Sequence, residues 1–243
     1  MQLHFSSIFM AASTRTTRIL WIGVAFLVLI GVAAVARRAI VLLGLGTLGS
    51  GGANPAATLD AGFAPHKWLT LIHILPGALF LTLATLQFLP GIRQKHLNFH
   101  RWGGRLLVVL GLIIGVSALV MSFKMNIGGP NETAATTLYA IVFLFCLIKA
   151  YLFIRMKNVV RHREWMIRMY SVGLGVATTR PIVGAFFAFR RLTPHEFFGI
   201  AFWLGFTITF MAGEFWIDYT RSHGTQAIAS GDSIEAAPTI AAH

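Results

Sequence analysis

Charge is scarce in this chain, and acidic charge scarcest of all. Eight Asp and Glu residues stand against twenty Lys and Arg. Only 12% of residues are charged, against about 25% in an ordinary soluble domain. That shortage excludes a conventional water-soluble globule. Cysteine is nearly absent: Cys146 stands alone inside an apolar run, so no intrachain disulfide can form. No segment alternates apolar and polar residues with a period of two, which excludes a membrane β-barrel. The chain lacks a Walker loop, a dinucleotide glycine motif, a metalloprotease helix and a nucleophile elbow. It therefore carries no recognisable nucleotide-binding or hydrolase signature.

What the chain has is long apolar runs, with 56% hydrophobic residues overall. About 20 such residues in helical form cross roughly 30 Å of hydrocarbon. Six spans can be drawn, at 19–36, 68–89, 102–123, 135–154, 165–187 and 197–217. Together they make an all-α, multi-pass transmembrane helical bundle occupying residues 19–221. Residues 1–18 read as an N-terminal tail, and residues 222–243, small and polar, as a disordered tail. The 44–64 segment, rich in Gly, Ala and Thr, reads as a loop. Arg15 and Arg18 followed by an apolar core and Ala34-Val35-Ala36 also suit a signal peptide. The apolar run resumes at Ala39–Leu45, which favours an uncleaved anchor.

The basic residues gather in short turns. Arg93, Lys95 and Arg101 separate spans two and three; Arg155, Lys157, Arg161, Arg163 and Arg168 separate spans four and five. The positive-inside bias puts these turns, and both termini, in the cytoplasm. Their placement points to the bilayer and its anionic headgroups as partners rather than to nucleic acid.

Ionisable residues inside the spans are the candidate functional groups. His73 lies roughly 7–8 Å, and Arg180 roughly 10 Å, below the outer boundary at 1.5 Å per helical residue. The two can share a level. Arg180 has no acidic residue at its own depth in the spans. It either snorkels to the headgroups or holds a ligand carboxylate or phosphate. His73 is either a neutral imidazole bonded to a neighbouring helix, or a haem ligand or proton relay. At the inner face, His96 and His100 are spaced i, i+4 and share a face if the turn is helical. His162 enters span five from the same side. The three either decorate a basic headgroup belt or bind a metal, and His100 with His162 could supply one haem ligand pair. Glu214, near the inner end of span six, matches the depth of Arg168 and Arg105, where a structural ion pair is expected. Gly111 and Gly115 form a small-xxx-small pair for close helix packing within the bundle.

Several blocks now carry a resemblance: His73-Ile-Leu-Pro-Gly-Ala, Gln87-Phe, His100-Arg-Trp-Gly-Gly-Arg105, and Arg161-His162-Arg-Glu-Trp165-Met166-Ile-Arg168. Spread over His66 to Ile217, they resemble the signature blocks of a bacterial family of predicted membrane proteins, domain of unknown function 2306. The resemblance implies a multi-pass protein of the bacterial inner membrane and implies no activity. A weaker resemblance is to the haem-b helical bundles of the cytochrome b561 and ferric reductase type. It implies haem b as cofactor, electron transfer with quinone or another redox partner, and histidine ligands within facing helices. Here only His73 lies well inside a span, so a single inner haem is the arrangement that likeness allows. The alternative is a carrier, sensor or accessory protein whose His73 and Arg180 line a polar cavity without a cofactor.

Overall fold

The computed structural model describes residues 14–45, 62–125, 127–189 and 193–235. The sequence-assigned N-terminal tail to residue 13, most of the 44–64 loop and the last eight residues lie outside them. The described residues are helical, without strands. Helix α1 is Thr14–Leu42, running unbroken through Ala34-Val35-Ala36. A 3₁₀ turn at Ala64–His66 leads into α2, Lys67–Phe88. A short α3, Pro90–Lys95, precedes α4, Leu97–Lys124. Then come α5 (Gly129–Arg155), α6 (Val159–Phe189) and α7 (Pro194–Glu235). Six of the seven are long and apolar enough to cross a membrane.

All the long helices but α2, which matches its 68–89 span to within a residue at each end, outrun the apolar core that marked them in the sequence. Hydropathy detects only the part that sits in hydrocarbon, whereas backbone hydrogen bonding continues into the polar flanks. The gap between α5 and α6 shrinks to Met156-Lys157-Asn158. Lys157 takes a positive φ of 59°, and the Asn158 side chain caps α6 by accepting the Arg161 N–H at 3.1 Å. α7 likewise runs past its 197–217 span, to Glu235.

Leu42, Lys67, Lys124, Gly129 and Pro194 bring helix ends to one face of the bundle, called here the upper end. Thr14, Phe88, Leu97, Arg155 and Val159 mark the lower end. α6 and α7 pack together most extensively, with α5 against both; α2 packs on α4, and α4 on α5. α1 lies on the periphery against α2 and α6. Its Ile19, Ile22, Phe26 and Leu29 are exposed, a surface suited to acyl chains. The core is aromatic and aliphatic, built on Phe80, Leu107, Phe143, Leu147, Met169 and Phe206.

Small residues set the closest approaches. A Cβ at Gly111 would stand 2.9 Å from Leu147, and one at Gly115 would overlap Leu144. The α4 glycine pair is thus filled by α5 within the same chain. Gly128 and Gly199 let the start of α5 meet the α7 backbone: a Cβ on Gly128 would lie 2.7 Å from the Gly199 nitrogen.

Candidate functional site

All six long helices contribute to one cavity of about 180 Å³ beneath the upper end. Its walls are mostly apolar, with Phe80, Phe143, Phe198, Phe202 and Phe206 prominent. Its polar lining includes His73 from α2, Glu132, Thr136 and Tyr139 from α5, and Arg180 from α6. By helix rise, His73 is roughly 9 Å below the upper end of α2, and Arg180 roughly 13 Å below that of α6.

The surroundings of His73 fix its hydrogen-bonding roles. Its Nδ1 lies 2.9 Å from Ser117 Oγ. Ser117 Oγ is itself 2.6 Å from the Ile113 carbonyl and 3.1 Å from that of Ile114. A hydroxyl has one proton, and a carbonyl can only accept. Ser117 therefore spends its proton on its own helix and accepts the Nδ1–H of His73. Anchored in this way, the His73 ring lines the cavity.

Arg180 is differently placed. Its Nε is buried and has no hydrogen-bond partner, and among the described residues no carboxylate forms an ion pair with it. The neighbouring Pro181 bends α6 and, lacking an N–H, frees the carbonyl of Ala177. Ala177 also lines the cavity. Thr136 contributes a buried hydroxyl without a partner. Glu132 is buried (7% exposed) and accepts the Gly128 N–H at 2.6 Å. The backbone N–H of Ile127 also serves it.

The other sequence candidates lie elsewhere. His96 is exposed at the N-cap of α4, and His100 is half-buried one turn on. The His162 ring is oriented by its Nδ1, which donates to the Ala150 carbonyl at 2.8 Å. Neither His100 nor His162 lines the upper cavity. Among the described residues, no group of three or more His, Cys, Asp or Glu side chains could hold a metal ion. Near His100, the Gln87 amide fills the notch left by Gly103, where a Cβ would overlap it. Both Gln87 amide atoms are buried without a partner.

The remaining charges tie helices together. Arg168 donates to Glu214 through Nε at 2.6 Å and a second nitrogen at 2.9 Å. Arg105 instead lies over the Trp102 ring, 4.6 Å from its centre. Glu164, which the sequence reading left in a turn, is buried in α6 and binds Arg221 of α7 at 2.7 Å.

Sequence reasoning missed Ser117, Glu132 and Thr136. Ser117 looks like any small residue in a span. Glu132 looks like an ordinary acid in a first helical turn, where the helix dipole favours it.

A family model described as "Predicted membrane protein (DUF2306)" matches residues 70–217. The chain belongs to this family. The match takes in His73, Arg180 and Glu132 and leaves α1 outside. No curated protein and no solved structure matches the chain.

Proposed function

We propose that this DUF2306 protein binds, within its membrane domain, a compact and largely apolar molecule bearing an acidic group, and acts as a carrier or sensor for it. Arg180 grips the acid, and His73 borders it in the same cavity. The supporting observation is the buried, acid-free guanidinium of Arg180 in the apolar cavity that His73 shares. A buried cation without a partner is costly, and an anionic ligand group offsets that cost. The planar fork of Arg suits a carboxylate or phosphate in two-point contact.

Hydrocinnamate, an aromatic acid, is a suitable probe. The detergent-purified full chain should bind it in calorimetry. Arg180→Gln should weaken binding about tenfold or more, the worth of one hydrogen bond to a charged group. Arg180→Lys should weaken it less, keeping the charge but not the fork. Equal binding by Arg180→Gln and wild type would refute the assignment.

A second reading has its own support. The His162 Nδ1–H is held by a backbone carbonyl, as metal-ligating histidines commonly are, leaving Nε2 for a ligand. In that reading, haem b sits at the lower end between His100 and His162 and exchanges electrons with quinone or another redox partner. The cofactor would supply the electron transfer, while these residues orient it. A colourless protein purified from a haem-replete host excludes this reading.

A further inference from the structure

The upper cavity contains two buried groups of opposite sign that do not pair with each other. Arg180 stands on α6. Glu132 stands on α5, held by the backbone of the 127–128 turn, and among the described residues no cation forms an ion pair with it. Both line the same apolar space. Elsewhere in the bundle the charged side chains between α6 and α7 are matched, half-buried Arg168 with half-buried Glu214 and buried Glu164 with the more exposed Arg221. The upper cavity departs from that pattern.

Charging either group unmatched in one low-dielectric space is costly, and a direct salt bridge would be the simplest relief. A ligand that carries both signs relieves the two at once. Thr136 lies one helical turn from Glu132 on the same face of α5, and its buried hydroxyl has no partner. It adds a hydrogen-bonding group beside the acidic pole.

We infer that the cavity's ligand is a zwitterion with an apolar body. Its acid group meets Arg180, its ammonium meets Glu132, and its body lies among Phe80, Phe143 and Phe202. This rests on the acid-binding reading above and adds the second pole.

The test uses three molecules with one aromatic body. Free phenylalanine carries both poles, hydrocinnamate only the acid, and phenethylamine only the ammonium. Calorimetry on the wild-type full chain decides first. Phenylalanine should bind about tenfold or more tighter than either single-pole analogue, reflecting one further charge-assisted hydrogen bond. Glu132→Gln keeps an oxygen for the Gly128 N–H but removes the negative charge. It should reduce the preference for phenylalanine over hydrocinnamate to near unity. If hydrocinnamate binds wild type as tightly as phenylalanine, the zwitterion proposal fails while the acid site stands. If the preference survives Glu132→Gln, the second pole is not Glu132 and the proposal fails. If neither acid binds wild type, the acid-binding reading falls, and this one with it.

Discussion

At Gly199 the absence of a single carbon governs a helix crossing. A Cβ there would sit 2.8 Å from the Glu132 nitrogen and 3.0 Å from the Asn131 carbonyl carbon. Both are backbone atoms, so no side-chain rotation relieves the overlap. Gly199→Ala should cost about 1–3 kcal/mol as an overpacking change, read as a lower Tm in detergent. An unchanged Tm would mean that α5 and α7 can slide apart freely. The same crossing seats Glu132, which explains why sequence alone did not single that residue out. Its carboxylate is held locally by the 127–128 backbone, but the cavity it lines is closed by helices distant in sequence. His73 and Arg180 were legible because an ionisable side chain inside an apolar run is unusual in itself. Their depths follow from the helix rise. Ser117 was not legible: its role depends on a ring 44 residues distant in sequence.

Between elements, the α6–α7 contact combines close packing with paired charges. Arg168 grips Glu214 at two points, and Glu164 meets Arg221 further toward the lower end. A double-mutant cycle on Arg168 and Glu214 should return a coupling of about 0.5–3 kcal/mol. Each single change should be worse than the pair removed together, because it strands one charge. A coupling of zero would reduce the pair to a surface contact. Equal depth made this pair readable in the sequence. The Glu164 pair was not readable, because a run of five basic residues looked like a loop. The helix begins at Val159 instead, and that places Glu164 on the face that α7 covers.

For the molecule as a whole, the class was legible and the cavity was not. Six apolar runs announce six spans, but only their packing shows that all six border one space. Which end faces the cytoplasm is an expectation from the basic turns. Reporter fusions at Lys157 should read cytoplasmic, and fusions at Gly128 external; the reverse pattern would invert the topology. The charge pairing also has a consequence for biosynthesis. α6 and α7 are the two least apolar spans, and the partner of Arg168 lies 46 residues downstream. At about 5–20 residues per second, the ribosome needs a few seconds to deliver it. During that interval α6 should be a poor guest for lipid, and the expectation is that α6 and α7 enter the bilayer together as a hairpin. Chains truncated after Phe189 should therefore leave α6 extractable from membranes by alkali, whereas chains extended through Arg221 should resist. Equal resistance in both would show that α6 enters alone.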